Sequence, residues 1–305
     1  MTQQTAIERW QQMLEGRRDQ MEAAYARLGR DNADFWARRA AQYRRYAGVA
    51  DEQYPVVQQV LALLPPGGAV LDVGAGTGRL ALRLAHHAGE VVAVEPQPAM
   101  AAYLTEDAAA AGITNIRLVR NGWLEAQAQI APADVVLCAG VLFAQPAQAD
   151  ITAWLATLDA HARVAVVLEL VVDWGEQPLL EELWQHFHGE PRIPTSTYID
   201  VYTVLHDLGI PANVTVYDAG PENFRRYADL DEAVASVREE LIVPATEEVD
   251  STLRAALRED LKRVDDAWEL PFQSRPTMTM VWWERSAPRL RGPLGADRPV
   301  SAVAF

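Results

Sequence analysis

The sequence has one cysteine, Cys138, among 305 residues. A single thiol forms no disulfide within the chain and cannot build a zinc site from several cysteines. Long apolar runs are also missing, since none approaches the ~20 residues that a membrane-spanning helix requires. The polar first residues predict no secretory leader. These absences predict a protein of the reducing cytoplasm that does not enter a membrane.

Basic residues are few, because 27 lysines and arginines face 42 acidic residues and the formal net charge is −15. Nucleic-acid binding depends on basic side chains that neutralise phosphates, so a nucleic-acid partner is not expected. The arginines concentrate in the first fifty residues, whereas residues 229–269 are crowded with Asp and Glu. Two interpretations stay open: each segment presents a solvated helix face, or the two pack together with complementary charges.

Helix and strand patterns alternate regularly from Pro55 onward. This alternation predicts an α/β fold with a parallel, doubly wound sheet, whose ligands bind at the carboxyl ends of the strands. The predicted strands are 69–73, 91–95, 116–120, 133–139, 163–172, 213–217 and 277–283. The predicted helices among them are 55–64, 78–88, 97–111, 147–160 and 195–208.

Other segments fall outside this alternation. Residues 1–47 predict two helices, broken near Gly29 to Asn32, and residues 222–272 predict two acidic amphipathic helices separated by Pro244. That insertion is long enough to form a lid, and its helices could equally pair with a second subunit in a homodimer. The expected domains are an N-terminal helical cap 1–54, a core 55–221 and 273–286, a helical lid 222–272 and an irregular tail 287–305.

A strand that runs into three alternate glycines marks a nucleotide-binding turn. The segment Asp72-Val73-Gly74-Ala75-Gly76-Thr77-Gly78 has this form, and glycine lets the backbone adopt positive φ and approach a ligand closely. The dinucleotide-binding pattern requires its third glycine three residues after the second, where this sequence has Arg79. The spacing therefore argues against a nicotinamide oxidoreductase.

The spacing resembles motif I of the class I S-adenosylmethionine-dependent methyltransferases, E/D-x-G-x-G-x-G. The resemblance implies a seven-stranded Rossmann-like sheet with its last strand antiparallel between the fifth and the sixth. It implies S-adenosylmethionine as cofactor and S-adenosylhomocysteine as product. The residues that would form the methionyl site are Asp72, Gly74, Ala75, Gly76 and Gly78.

Further segments of the resemblance lie at the ends of the next strands. Glu95, followed by Pro96, would accept both ribose hydroxyls, because one carboxylate can take two neighbouring O–H donors. At the end of the third strand, the adenine would meet Asn121, Gly122 and Trp123. Trp123 could instead be a core residue of the following helix. Carbonyl groups after the fourth strand would meet the ammonium group of the cofactor, at Cys138, Ala139 and Gly140.

The acceptor is harder to predict. The family's asparagine-proline-proline-tyrosine signature is absent after the fourth strand, which argues against nucleobase or protein-glutamine methylation. Candidate general bases are Glu169, His186, His188 and Tyr198. The two histidines have no third ligand nearby, so no metal site is expected. Aromatic residues that could line an acceptor pocket, or fill core instead, are Trp36, Tyr43, Trp174, Trp184 and Tyr198. Trp36 and Tyr43 lie on a helix that would cover the cofactor.

The sequence thus predicts a methyltransferase that acts on a small-molecule acceptor by direct in-line transfer, in which alignment and exclusion of water matter more than any one side chain. Two alternatives remain. A protein methyltransferase would need an open acceptor groove, and a non-catalytic scaffold protein would bind the cofactor without turnover.

Overall fold

The computed structural model describes residues 5–30, 35–142, 151–173, 177–218, 226–264, 267–270 and 277–287. Its strands are β1 Ala69–Val73, β2 Glu90–Val94, β3 Ile116–Val119, β4 Ala133–Ala139, β5 Ala162–Asp173, β6 Asn213–Asp218, β7 Arg226–Tyr227, β8 Lys262–Val264, β9 Ala267–Glu269 and β10 Thr277–Glu284. Its helices are α1 Ala6–Arg27, α2 Phe35–Ala47, α3 Pro55–Leu63, α4 Ala81–Leu84, α5 Pro98–Ala110, α6 Trp123–Ala126, α7 Ile151–His161, α8 Gln177–His188, α9 Tyr198–Asp207, α10 Leu230–Leu241 and α11 Glu247–Arg258.

The main sheet has seven strands in the order β3-β2-β1-β4-β5-β10-β6. The pairings of β1 with β2 and β4, of β2 with β3, and of β4 with β5 are parallel. Strand β10 runs antiparallel to both of its neighbours, β5 and β6. The predicted fold class is confirmed, including the position of the last strand, and the first four predicted strands match within a residue at each end.

The central strands are apolar throughout because helices cover both faces of the sheet. In β1, Val70 packs into a core cluster with residues of α3 and α4. Leu71 and Val73 point the other way and pack with residues of α1, α7 and α9. This alternation places Asp72 on the same face as Val70, at the carboxyl end of the strand.

A third core cluster lies among helices α1, α8, α10 and α11. It contains Tyr25, Trp184, Val237 and Leu253, all at most 3% exposed. Helix α10 begins at an Asp229 cap and ends at Ile242, which adopts a left-handed conformation. The insertion therefore packs against α1 and α8 as well as against itself.

Some elements differ from the sequence prediction. The helix predicted over 78–88 is reduced to α4, because the third glycine has a φ of 93° and is part of the turn. Helix α8 was not predicted; Pro178 is its second residue, and proline is tolerated in the first turn of a helix. The three-stranded sheet β7-β9-β8 was also missed, because strands of two or three residues carry no periodic pattern. Within the described ranges, no helix has the length and apolarity needed to cross a membrane.

Candidate functional site

The glycine turn follows β1 directly. Gly74, Gly76 and Gly78 have φ values of 78°, 58° and 93°. The amides of Gly74 and Ala75 donate to the carbonyl of Val94 at 2.8 and 3.0 Å, which ties the turn to the end of β2. A Cβ atom at Gly74 would lie 2.3 Å from Cγ2 of Val141. No side chain fits there, so this position requires glycine for space as well as for its φ angle.

Glu95 lies at the end of β2, next to the turn, and is 7% exposed. Its Oε2 accepts the amide of Gly76 at 2.8 Å, and its Oε1 accepts the amide of Gln97 at 2.7 Å. Burial raises the pKa of this carboxyl, although the two amides oppose the shift. A carboxylate oxygen has two acceptor sites, so each oxygen can accept one further donor. The neighbouring Pro96 is exposed.

Asp72 is buried between the turn and the centre of the sheet. Burial raises its pKa to about 7, the nearby Arg79 opposes this shift, and Glu95 and Glu169 add to it. Three carboxyl groups, those of Asp72, Glu95 and Glu169, thus share their surroundings with the guanidinium of Arg79. Because the acidic groups outnumber the one guanidinium, this environment favours a ligand that carries positive charge at the glycine turn.

Glu169 is the centre of a buried polar cluster and is 1% exposed. Its Oε2 forms an ion pair with Arg79, and its Oε1 accepts the hydroxyl groups of Tyr54 at 2.5 Å and Tyr217 at 2.6 Å. The guanidinium carbon of Arg79 lies 4.8 Å from the ring centroid of Tyr54. Burial, with Glu169 next to it, raises the pKa of Tyr54 to about 12. The tyrosine therefore remains a donor at neutral pH.

The surroundings of Glu169 favour a positioning role over the general-base role that its sequence position suggested. Three donors already occupy its two oxygens, and the carboxylate links three elements: the glycine turn, the start of α3 and the end of β6. Sequence reasoning missed Arg79, Tyr54 and Tyr217 as members of this cluster. The one available signal was Arg79, which directly follows the third glycine.

Helix α2 lies over the glycine turn. The ring of Tyr43 comes within 3.6 Å of the position that a Cβ atom at Gly76 would occupy. Trp36 packs edge to face with Tyr43, with ring centroids 5.9 Å apart. Burial raises the pKa of Tyr43, and Arg79 opposes the shift. Tyr43 therefore lies over the turn and Trp36 packs next to Tyr43, while their contact with a bound molecule stays a prediction.

Ion pairs hold α2 on two sides. Arg44 pairs with Asp107 of α5. On the opposite side α2 pairs with α10 of the insertion, through Arg38 with Glu239 at 3.3 Å, Arg39 with Glu240 at 2.8 Å, and Arg45 with Glu232. Of the two interpretations of the uneven charge distribution, the structure supports packing of the basic and acidic segments against each other.

Trp123 does not face the glycine turn as an adenine-stacking residue would. It is 4% exposed, its Nε1 donates to Oγ1 of Thr157 at 2.9 Å, and its ring meets His161 edge to face at 4.9 Å. The indole is thus held against α7, and this geometry favours the alternative of a core residue. Asn121 is exposed, and Gly122 precedes the first residue of α6.

The end of β4 borders the same site. Cys138 is 1% exposed, and burial raises the pKa of its thiol. Gly140 has a φ of 65°, and its amide donates to the carbonyl of Glu169 at 2.9 Å. Ala139 and Gly140 are half-buried. The predicted contact segment, Cys138 to Gly140, is therefore hydrogen-bonded to the main chain of Glu169.

The histidines after β5 lie elsewhere. His188 packs between α1 and α10: its Nε2 bonds to the carbonyl of Leu241 and its Nδ1 to Arg27, both at 2.8 Å. Both nitrogens are engaged, so no lone pair remains for a proton, and burial lowers its pKa. His186 is exposed on the outer side of α8. This geometry argues against either histidine as the general base.

The remaining predicted acceptor residues are dispersed. Trp184 is 1% exposed in the third core cluster, between His188 and Arg192. Tyr198 packs against the cluster of α1, α7 and α9. Trp174 lies outside the described residues. Within the part of the chain that is described, no group of three or more His, Cys, Asp or Glu side chains is arranged to hold a metal ion.

Residues 70–164 match the model of a family described as a methyltransferase domain. The matched segment begins in β1, includes the glycine turn, Glu95 and the end of β4, and ends in β5. A comparison with curated proteins finds no significant match.

Solved structures resemble the chain at low sequence identity. A protein from Bacillus halodurans C-125, described as a candidate methyltransferase, aligns with a TM-score of 0.51 and 11% identity over 78% of this chain and 100% of its own. A magnesium protoporphyrin IX methyltransferase from Synechocystis PCC 6803, with bound SAH, aligns with a TM-score of 0.48 and 20% identity over 61% of this chain and 89% of its own. The likeness to the Bacillus protein supports a common fold.

Proposed function

We propose that this chain is a class I S-adenosylmethionine-dependent methyltransferase and that it methylates a small-molecule acceptor in an enclosed site. The observation that carries the proposal is the position of α2, which covers the glycine turn through Tyr43 and is tied to the insertion by ion pairs. S-adenosylmethionine supplies a methyl group on a positively charged sulfur and leaves as S-adenosylhomocysteine.

The residues at the glycine turn fit this cofactor in shape and charge. Gly74 and Gly76 let the backbone approach the methionyl part, and both oxygens of Glu95 have acceptor sites left for the ribose hydroxyls. The buried carboxyls of Asp72 and Glu95 complement the ammonium and sulfonium charges. The adenine would lie near Asn121, since Trp123 is committed to the core.

An enclosed site favours a small acceptor over a protein side chain. Ion pairs through Glu240 join three separate parts of the chain next to the glycine turn: α2, the segment after α8 and α10. A protein substrate would need a groove open at both ends, whereas segments joined in this way would exclude water and align a small molecule. The polar cluster around Glu169 would keep the residues next to the glycine turn in fixed positions.

The first test is calorimetric titration with S-adenosylmethionine and S-adenosylhomocysteine, with NADH as a control. We expect both sulfur compounds to bind and NADH not to bind. Turnover is then measured as S-adenosylhomocysteine formed with a panel of small acceptors and with a peptide panel. Binding without turnover on either panel would favour a scaffold protein, and turnover on peptides alone would overturn the small-molecule proposal.

The affinity for S-adenosylhomocysteine is expected to depend on pH through Asp72. In the free protein this carboxyl has a pKa of about 7, and the ligand's ammonium group favours its ionised form. The ligand must therefore displace a proton below that pH but not above it. Affinity should be constant above about pH 7 and fall below it, by at most about 10-fold per pH unit. Calorimetry across this range measures the effect.

The matched control is Asp72→Asn, which keeps the shape of the side chain and removes the titration. Its affinity should be weaker and nearly independent of pH. If the wild-type affinity is equally flat on both sides of neutrality, the assignment of Asp72 to the ammonium group is wrong.

Tyr43→Ala is expected to weaken S-adenosylhomocysteine binding about 10-fold, because the ring that covers Gly76 is lost and its buried apolar surface with it. Tyr43→Phe keeps the ring and should bind as the wild type does. Tyr202→Ala is the control, since Tyr202 is 40% exposed on α9. Equal affinities of the Tyr43→Ala and Tyr202→Ala variants would contradict the covering role of α2.

A further inference from the structure

Three arginines converge on one carboxylate beyond the glycine turn. Glu240 of α10 accepts Nη1 of Arg39 at 2.8 Å and Nη2 of Arg192 at 3.0 Å. Arg17 of α1 lies close to both Arg192 and Glu240 and donates to the carbonyl of Ile193. We name Arg17, Arg39 and Arg192 the arginine cluster. Its three positive charges meet the single negative charge of Glu240, in a chain whose net charge is −15.

Several polar atoms around the cluster are buried without a partner. They are Nε of Arg39, Nε of Arg192 and Nε1 of Trp184, whose ring lies beside Arg192. The side chain of Arg192 is only 3% exposed. Buried donors without an acceptor are costly, and most proteins avoid them. A concentration of such donors beside excess positive charge therefore points to an anionic ligand.

The surrounding structure fixes these groups in advance. Gln20 of α1 donates to the carbonyl of Pro191 at 2.8 Å and accepts the amide of Ile193 at 2.9 Å, so it clamps the backbone on both sides of Arg192. The guanidinium of Arg192 also lies 5.9 Å from the ring centroid of Trp184. Burial, with Arg192 nearby, lowers the pKa of Arg17 to about 10, as expected where positive charge is in excess.

The arginine cluster lies close to the site of methyl transfer proposed above. Arg39 precedes Tyr43 by four residues on α2, which places the two on the same side of the helix, about 6 Å apart along its axis. Tyr43 covers the glycine turn. An acceptor that reaches the cofactor beneath Tyr43 can therefore extend its other end to Arg39 and Arg192.

We propose that the arginine cluster binds an oxyanion of the methyl acceptor, a carboxylate or a phosphate, and so selects acidic small molecules as substrates. This inference rests on the proposed methyltransferase function. Arg39 and Arg192 bind the anion with their unpaired Nε–H groups, while their outer nitrogens remain on Glu240. Arg17 adds positive charge near Arg192, and Trp184 donates from its indole nitrogen.

The test is turnover on matched acceptor pairs that carry a separate hydroxyl or amino group for methylation and differ in charge: aromatic carboxylic acids against their primary amides, and phosphate monoesters against the parent alcohols. We expect the protein to methylate members of one acidic set and to leave the neutral partners nearly untouched. Which acidic set is methylated distinguishes carboxylate from phosphate. Equal turnover of acids and neutral partners would overturn the inference.

Variants test whether the preference for acidic acceptors depends on the arginine cluster. Arg192→Met should lower kcat/KM for the acidic acceptor about 10- to 100-fold through loss of charge-assisted hydrogen bonds, with S-adenosylhomocysteine affinity unchanged. Arg192→Lys should keep part of the activity. Arg117→Met is the control, because Arg117 forms an exposed ion pair with Glu90 that belongs neither to the cluster nor to α2. If both methionine variants lose activity equally, the cluster does not bind the acceptor.

Failure of this inference can be told apart from failure of the proposed function. Absence of S-adenosylhomocysteine binding in the wild type would remove the methyltransferase proposal itself. Binding combined with turnover that is indifferent to acceptor charge would remove only the anion site. Calorimetric titration of the S-adenosylhomocysteine complex with benzoate and with inorganic phosphate gives a second readout. We expect one of the two to bind the wild type and neither to bind Arg192→Met; weak binding of both to both proteins would overturn the inference.

Discussion

Arg79→Met is expected to lower the free energy of unfolding by about 3–5 kcal/mol. The substitution leaves the Glu169 carboxylate, which is 1% exposed, without its ion-pair partner. The hydroxyl groups of Tyr54 and Tyr217 still donate to it, but they bring no compensating positive charge. Urea denaturation followed by circular dichroism measures the loss.

Two further variants test the cause. The double variant Arg79→Met with Glu169→Gln should recover much of the stability, because the amide oxygen still accepts both tyrosine hydroxyls and the unpaired charge of Glu169 is removed. Arg117→Met removes a surface pair with Glu90, whose side chains are 47% and 49% exposed, and should cost under about 1 kcal/mol. A loss for Arg79→Met as small as that of Arg117→Met would show that the buried pair contributes little.

Glu95→Ala is expected to weaken the binding of S-adenosylhomocysteine by at least about 100-fold while the fold stays intact. Two charge-assisted hydrogen bonds to the ribose hydroxyls would be lost, each contributing about 1.5–3 kcal/mol. The substitution also releases the amides of Gly76 and Gln97, which the carboxylate holds in place. Calorimetry measures the affinity, and circular dichroism checks the fold.

Glu90→Ala is the matched control, since Glu90 stands at the exposed start of the same strand. It should bind S-adenosylhomocysteine as tightly as the wild type. Glu95→Gln should fall between the wild type and the alanine variant, because an amide accepts through one oxygen only. An unchanged affinity in Glu95→Ala would remove the ribose assignment.

The helices that surround the glycine turn connect these predictions. The polar cluster around Glu169 joins the turn to α3 and β6 from below, and α2 covers the turn from above. Because α2 also pairs with α10, a movement of the insertion would displace α2 and with it Tyr43. The proposed enclosed site and the arginine cluster both depend on this one helix.

The features that could be predicted from sequence are those set by neighbouring residues. The glycine turn could be predicted from three glycines within five residues, all of which have positive φ in the structure. The carboxylate of Glu95 could be predicted from its position at the end of an adjacent strand. Strand and helix positions followed from apolar periodicity, which is also local. Trp123 shows where this reasoning fails, because the same residue types suit a stacking side chain and a core side chain equally.

The sequence by itself determined the sheet, the glycine turn and the acidic residue beside it, since each depends on short-range backbone preferences and burial patterns. Only the tertiary structure decided which distant side chains meet. Glu169 is 90 residues from Arg79 and 115 from Tyr54, and Arg39 is 201 residues from Glu240. Such pairs depend on how α2, the segment after α8 and the insertion pack together. Packing of this kind depends on shape and charge summed over many contacts, so it produces no periodic pattern in the sequence.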